Sequence, residues 1–232
     1  MVEPAQSTIL QLSRREIVSI LFGLILAMFL ASLDQTIVAT SLSTMARDLD
    51  GWTLMSWVVS AYLVASTVTT PIYGRLSDIY GRRPVLLASI GIFVGASVLC
   101  ALSQTMPQLI GARILQGIGG GGLRSVSQAA IADIIPPRER GRYQGYLSSV
   151  MAISMVLGPV LGGFFADYLS WHWIFWINLP FGAAALFLCD RNLRRLAPPT
   201  RRSRIDWLGA LLIVASATPI LLGLSRIESG GD

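Results

Sequence analysis

The sequence predicts an all-α integral membrane protein, and two observations support that prediction. Of its 232 residues, 53% are hydrophobic and only 13% are charged, which is about half the charged fraction usual for a soluble domain. The apolar residues also occur in blocks long enough to cross a bilayer, whose hydrocarbon core requires roughly 20 residues of helix. We therefore expect seven membrane-spanning helices, at residues 17–40, 54–73, 85–103, 109–135, 143–166, 171–189 and 207–224.

The first hydrophobic block could instead be a cleaved signal peptide, because Arg14 and Arg15 precede it as a charged segment would. The block is longer than the apolar region of a typical signal peptide, and no convincing cleavage site of small residues follows it. We therefore interpret it as the first membrane span, retained in the protein.

The distribution of arginines predicts the orientation in the membrane. Arginines cluster before the first span and after the second, fourth and sixth spans. This pattern places the N-terminus and these clusters in the cytoplasm. We expect a multi-pass protein of the cytoplasmic (inner) membrane in contact with lipid. Although the net charge is +5, the arginines do not form one basic face, so no nucleic-acid partner is expected.

The longest polar connection divides the chain into three regions. Residues 1–190 carry six spans, residues 191–206 form an arginine-rich cytoplasmic linker, and residues 207–232 carry a seventh span. One unpaired helix is a poor end for a bundle, so we expect that a C-terminal half is missing or that a second copy replaces it. A short G-x-x-x-D pattern occurs at Gly74–Asp78 and again at Gly163–Asp167, on opposite membrane faces. It suggests an inverted repeat of three helices each.

Two ionisable residues inside predicted spans are candidates for function, because charges are costly there and usually functional. Asp34 lies within the first span and Arg113 within the first turns of the fourth. We expect Arg113 to face a polar cavity or to meet a carboxylate such as Asp34. Alternatively, Asp34 is hydrated near the outer end of its span, and Arg113 extends to the outer headgroups.

Arg124 lies about three helical turns beyond Arg113 and nearly on the same face. It could line a pathway and favour an anionic substrate, or it could mark the decay of a gene fragment. Gln116 and Arg124 are candidates for residues of the pathway.

The segment at residues 74–84 (GRLSDIYGRRP) reads as a tight cytoplasmic loop between the second and third spans. Gly81 permits a sharp turn, and Pro84 suits the first turn of the next helix. Asp78 can pair with a nearby arginine such as Arg82, and moving helices could break that pair. The simpler interpretation is an ordinary loop that keeps its arginines in water.

Small residues in the fourth and fifth spans predict close helix packing. They recur at every fourth position, at Gly117 and Gly121, and at Ser154, Gly158 and Gly162. Pro159 removes a backbone hydrogen bond and can kink the fifth span. The four glycines at 119–122 are not followed by a lysine and do not follow a strand, so a nucleotide site is not expected.

Metal and enzyme chemistry are not expected. Cys100 and Cys189 lie isolated in apolar stretches, and His172, the one histidine, has no ligand partners at metal-binding spacing. No combination of nucleophile and base is present either.

Several of these segments together resemble the major facilitator superfamily, and in particular its drug:proton antiporters of the fourteen-span type. The segment at 74–84 resembles the signature loop between helices two and three. The runs at 33–38 (LDQTIV), 113–119 (RILQGIG) and 158–163 (GPVLGG) resemble the motifs of helices one, four and five. The run at 171–180 (WHWIFWINLP) is similar to the start of helix six. One departure is Ser154, where the antiporter motif commonly begins with glycine.

The resemblance implies roles for individual residues. It implies proton coupling at Asp34 and Arg113. It implies a gating loop that comprises Gly74, Asp78, Gly81, Arg82 and Arg83. It also implies an antiporter helix that comprises Gly158, Pro159, Gly162 and Gly163.

The resemblance also implies the fold and the function. The fold is the six-helix N-terminal bundle of a major facilitator protein plus one further transmembrane helix. The function is proton-coupled antiport that exports drugs or other small molecules, with the proton gradient as energy source and no cofactor. The alternative is a truncated half-transporter without transport activity of its own, or one that acts only as a homodimer.

Overall fold

The computed structural model describes residues 13–194, and these form a bundle of long helices. The predicted seventh span and most of the predicted linker lie outside the described residues. The helices are α1 (Arg14–Thr40), α2 (Leu42–Asp48), α3 (Met55–Tyr80), α4 (Arg82–Ala101), α5 (Met106–Ile134), α6 (Arg140–Tyr168), α7 (Trp173–Trp176) and α8 (Asn178–Leu193). A single 3-10 turn, Trp52–Leu54, precedes α3.

The helix starts follow from local sequence. Ser13 caps α1 by accepting a hydrogen bond from the Glu16 backbone N–H, and the Glu16 carboxylate accepts one from the Ser13 N–H in return. Thr105 caps α5 in the same way, by accepting a bond from the Gln108 N–H.

The first five predicted spans each coincide with one long helix, and the sixth is divided between α7 and α8. The predicted loop at residues 74–84 is wrong in its extent. The helix α3 continues to Tyr80 and α4 begins at Arg82, so Gly81 alone makes the turn. Gly81 has φ 94° and ψ 154°, a backbone conformation that side chains with a Cβ strongly disfavour. The reversal therefore needs only one residue, because that residue is glycine.

Five of the described helical segments are long and apolar enough to cross a membrane: Arg15–Thr40, Trp52–Tyr80, Arg82–Ala101, Arg140–Tyr168 and Trp173–Leu193. The helix α5 is not among them, because Arg113, Arg124 and a run of glycines lower its hydropathy. It is nevertheless as long as α6, and it packs in the centre of the bundle against α3 and α4. The arginines and the run of glycines in α5 therefore lie within the protein and do not face lipid.

The contacts between the helices support the predicted inverted repeat. The helix α5 packs chiefly against α3 and α4, and α1 packs chiefly against α6 and α8. If α1, α3 and α4 form one unit and α5, α6 and α8 the other, the first helix of each unit packs on the two later helices of the other. A pseudo-two-fold relation between the units produces this reciprocity.

The glycines of α5 allow its close approach to both neighbours. A Cβ on Gly117 would lie 2.5 Å from the carbonyl oxygen of Tyr62 in α3. A Cβ on Gly119 would lie 2.6 Å from the backbone nitrogen of Phe93 in α4. Gly121 meets the Ser66 carbonyl of α3 equally closely, at 2.6 Å. The close packing predicted at Gly117 and Gly121 is therefore confirmed.

Two apolar clusters make up the core, and a polar layer separates them. One cluster includes Leu24, Leu86 and Phe93, and the other includes Ile37 and Trp171. Along α1, α4, α5 and α8, the residues between these clusters are polar and buried: Asp34, Ser97, Arg113, Gln116 and Asn178. This layer is the candidate functional site.

Candidate functional site

The centre of the site is an ion pair between α1 and α5. Nη1 of Arg113 lies 2.6 Å from Oδ2 of Asp34, and both side chains are 0% exposed. Neither alternative from the sequence is observed, since Asp34 is not at a hydrated end and Arg113 does not extend to the headgroups. The sequence expectation that Arg113 meets a carboxylate such as Asp34 agrees with this geometry.

The second oxygen of the Asp34 carboxylate accepts two further hydrogen bonds. Nε2 of Gln116 donates to Oδ1 at 2.9 Å, and Nδ2 of Asn178 donates to the same atom at 2.7 Å. Both amides also donate to the hydroxyl of Ser97, at 2.8 and 3.2 Å respectively. Because these residues belong to α4, α5 and α8, the single carboxylate of α1 connects four helices.

Arg113 is held on its other side by neutral groups. Its Nε donates to the carbonyl oxygen of Val58 at 3.3 Å, and its Nη1 donates to Oε1 of Gln116 at 2.6 Å. The guanidinium stacks over the ring of Tyr62, with 4.2 Å between the guanidinium carbon and the ring centroid. Nη2 of Arg113 and the hydroxyl of Tyr62 are buried and bond to none of the described residues.

This arrangement couples charge to helix packing. A buried ion pair is tolerated when further hydrogen bonds satisfy its lone pairs and donors, as Gln116 and Asn178 do here. A proton on Asp34 would cancel the carboxylate charge and leave Arg113 without its counter-ion. The ion pair of Asp34 and Arg113 is therefore the charged contact between α1 and α5.

A second contact joins the same two helices. Nη2 of Arg124 donates to Oε1 of Gln35 at 2.6 Å, and both side chains are partly buried. Gln35 is the neighbour of Asp34, so consecutive residues of α1 contact two different arginines of α5. Gln116, a predicted pathway residue, instead lies inside the Asp34 network.

A group of charged residues surrounds the turn at Gly81. Arg82 contacts Asp78 through Nη1 at 2.6 Å and Asp133 of α5 through Nε at 2.7 Å. Arg83 pairs with Asp190 of α8, which also pairs with Arg194 at 2.6 Å. The pair of Asp78 with an arginine is present, and the turn is further joined to α5 and α8. Because these pairs are partly exposed, each contributes little to stability.

The predicted antiporter helix packs closely on α1 at two of its four named positions. A Cβ on Gly158 would lie 2.5 Å from Cβ of Thr36, and one on Gly162 would lie 3.1 Å from the Ile37 carbonyl oxygen. Within residues 13–194, a Cβ on Gly163 would have no neighbour within 4 Å, and one on Gly74 of α3 would meet only Ser125, at 3.4 Å. The helix α6 continues without interruption through Pro159.

Sequence reasoning did not identify six residues of these contacts: Val58, Tyr62, Ser97, Asn178, Asp133 and Asp190. Asn178 could have been found, because it is an amide in an otherwise apolar run. Ser97 could not, since serines are common in membrane helices. Among the residues described, no group of three or more His, Cys, Asp or Glu residues could hold a metal ion.

The fold and this buried site define a helical membrane protein with an ionisable centre. Residues 24–225 match the Major Facilitator Superfamily, and the chain belongs to that family. The chain is 42% identical over 211 residues to efflux pump FUS6 of Gibberella moniliformis, covering 89% of this chain and 38% of that protein. It is 41% identical over 212 residues to multidrug resistance protein 3 of Bacillus subtilis, covering 91% of this chain and 41% of that protein. The chain thus spans about two-fifths of these relatives.

Solved structures support the fold. The human organic anion transporter MFSD10 superposes with a TM-score of 0.70 at 19% identity, over 89% of this chain and 54% of that one. A D-xylose-proton symporter superposes with a TM-score of 0.67 at 20% identity, over 93% and 55% of the respective chains. The six-helix N-terminal bundle predicted from the sequence is therefore confirmed as the fold class.

Proposed function

We propose that the chain is the N-terminal half of a proton-coupled antiporter that exports drugs or other small molecules. The observation that supports this most is the fully buried pair of Asp34 and Arg113. A carboxylate at this depth is costly in a membrane protein and is retained where it has a function. The names of two relatives, an efflux pump and a multidrug resistance protein, point to the same class.

The proposed role of Asp34 follows from its contacts. In the structure, the carboxyl group of Asp34 is sealed from solvent and bonded to three side chains. Proton binding would weaken its attraction to Arg113, and α1 and α5 could then separate. Proton release would restore the pair. If the substrate binds one conformation and the proton binds the other, each transport cycle exchanges a substrate molecule for a proton.

The proposed location is the cytoplasmic membrane, with the N-terminus in the cytoplasm. The arginines near the turn at Gly81 and near the end of α8 lie on the same side as the start of α1. The positive-inside rule assigns that side to the cytoplasm. The turn residues Gly74, Asp78, Gly81, Arg82 and Arg83 would then form the cytoplasmic gate, and the proton gradient would supply the energy without a cofactor.

Efflux from cells tests this proposal. Cells that express the chain together with the proposed C-terminal half are loaded with a panel of cationic, neutral and anionic fluorescent dyes, and dye loss is followed. We expect faster loss of at least one dye, abolished by a protonophore and by Asp34→Asn. The matched control is Asp48→Asn, because Asp48 is an exposed acid in α2. Gradient-independent efflux, or full efflux by Asp34→Asn, would contradict the proposal.

A further part of the proposal concerns the second half of the transporter. Apolar side chains project from α6 without a partner among the described residues, and Met155, Val156 and Val160 are 69%, 68% and 63% exposed. Alternating access requires two halves around a central site. We propose that a C-terminal half, or a second copy of this chain, packs on this face of α6.

Crosslinking in membranes checks that interface. We expect Val156→Cys to form a crosslinked product at about twice the chain mass if a second copy packs there, since one chain is 25.1 kDa. A native product already near that size would indicate the C-terminal half. Leu99→Cys on α4 is the matched control, because Leu99 is 50% exposed. Equal crosslinking at both positions would contradict a specific interface at α6.

A further inference from the structure

Arg124 is a cation inside the bundle that no carboxylate of residues 13–194 neutralises. It lies near the middle of α5, and within the described part of the chain its one hydrogen bond is to the neutral amide oxygen of Gln35, at 2.6 Å. Its Nε is buried and bonds to none of the described residues. Arg113, on the same helix, differs because the Asp34 carboxylate lies 2.6 Å away.

The contacts of Arg124 leave most of its binding capacity unused. A guanidinium carries five N–H donors in a planar fork that matches the oxygens of a carboxylate, sulfonate or phosphate. One of those donors is bonded to Gln35. An uncompensated charge at membrane depth is retained in proteins where it faces a pathway or a ligand. The side chain is also only partly buried, so it can be reached.

We propose that Arg124, oriented by Gln35, binds the anionic group of the transported compound, so that the substrates are organic anions. The proposal rests on the export function above and adds its substrate class. Gln35 fixes one edge of the guanidinium and leaves the remaining donors for the ligand. Because Asp34 precedes Gln35 in α1, the proton-binding residue and the residue that orients the anion site occupy adjacent positions of one helix.

A matched pair of dyes tests the site without requiring transport. Anilinonaphthalene sulfonate and phenylnaphthylamine share their rings and differ in the sulfonate. Binding of each to the full chain in phosphatidylcholine nanodiscs is followed by fluorescence, with the signal of empty nanodiscs subtracted. The variants are Arg124→Gln, Arg124→Lys and, as a control, Arg47→Gln, since Arg47 is an exposed arginine of α2.

We expect Arg124→Gln to weaken binding of the sulfonate dye by roughly tenfold to a hundredfold, the effect of one charge-assisted hydrogen bond. Binding of the neutral dye stays unchanged, which also shows that the variant is folded. Arg124→Lys keeps the charge but loses the planar fork, so we expect it to retain only part of the affinity, whereas Arg47→Gln retains all of it. Equal loss for both dyes, or no loss for either, would overturn the proposal.

Two further comparisons are needed. One distinguishes a transported anion from a lipid headgroup as the ligand, and the other distinguishes failure of the anion site from failure of the export function. Phosphatidylglycerol in the nanodiscs should not displace the sulfonate dye; displacement that depends on Arg124 would assign the site to a lipid headgroup and overturn the substrate class. If gradient-dependent efflux is absent while the dyes still discriminate through Arg124, the anion site stands and the export function fails.

Discussion

Replacing Arg113 by methionine is expected to lower the free energy of unfolding by about 3–5 kcal/mol. The variant leaves the Asp34 carboxylate buried between helices with only the amides of Gln116 and Asn178 as partners. A single buried charge without its counter-ion is far more costly than the intact pair or than no charge at all. The change is measured by denaturant unfolding in detergent micelles, followed by tryptophan fluorescence.

Two control variants separate the ion pair from loss of packing. The double variant Arg113→Met with Asp34→Asn removes the stranded charge, and we expect it to recover most of the lost stability. Arg47→Met alters an exposed arginine and should change stability by less than about 0.5 kcal/mol. If Arg113→Met behaved like Arg47→Met, the pair would have no role in holding α1 against α5.

Gly119→Ala is expected to destabilise the bundle by about 1–3 kcal/mol, because an added methyl group must displace backbone rather than a flexible side chain. The new Cβ would lie 2.6 Å from the backbone nitrogen and 2.8 Å from Cα of Phe93. The helices α4 and α5 would therefore have to move apart. The same unfolding measurement checks this result.

Gly111→Ala is the matched control on the same helix. A Cβ at Gly111 has no described residue within 4 Å, and alanine is the better helix former by about 0.5–1 kcal/mol. We therefore expect Gly111→Ala to be neutral or stabilising. A loss of stability as large as that of Gly119→Ala would show that the effect is general to glycines of α5 and does not arise from close packing on α4.

The helices and the central pair could be predicted because bilayer physics constrains them. Long apolar blocks between arginine clusters are expected to form membrane-spanning helices. A carboxylate and an arginine at membrane depth stabilise each other as an ion pair. The sequence alone therefore points to Asp34 and Arg113 and to a contact between them. The same reasoning identified Gly117 and Gly121, whose spacing requires a close neighbour.

Contacts that depend on tertiary arrangement could not be predicted in the same way. Asp133 and Asp190 pair with Arg82 and Arg83 only because α5 and α8 end beside the turn at Gly81. Asn178 reaches Asp34 across a sequence separation of 144 residues. Gly163 repeats the position of Gly74 in sequence, but it faces open space, so the sequence repeat does not extend to its packing.

Proton counterflow in proteoliposomes tests the proposed proton exchange at Asp34 most directly. The purified chain, together with the proposed C-terminal half, is reconstituted with an internal pH indicator, and a gradient of a dye lost from the expressing cells is imposed. We expect dye-driven proton movement for the original sequence and for Asp48→Asn, and none for Asp34→Asn. Proton movement by Asp34→Asn at the rate of the original chain would contradict the proposed exchange.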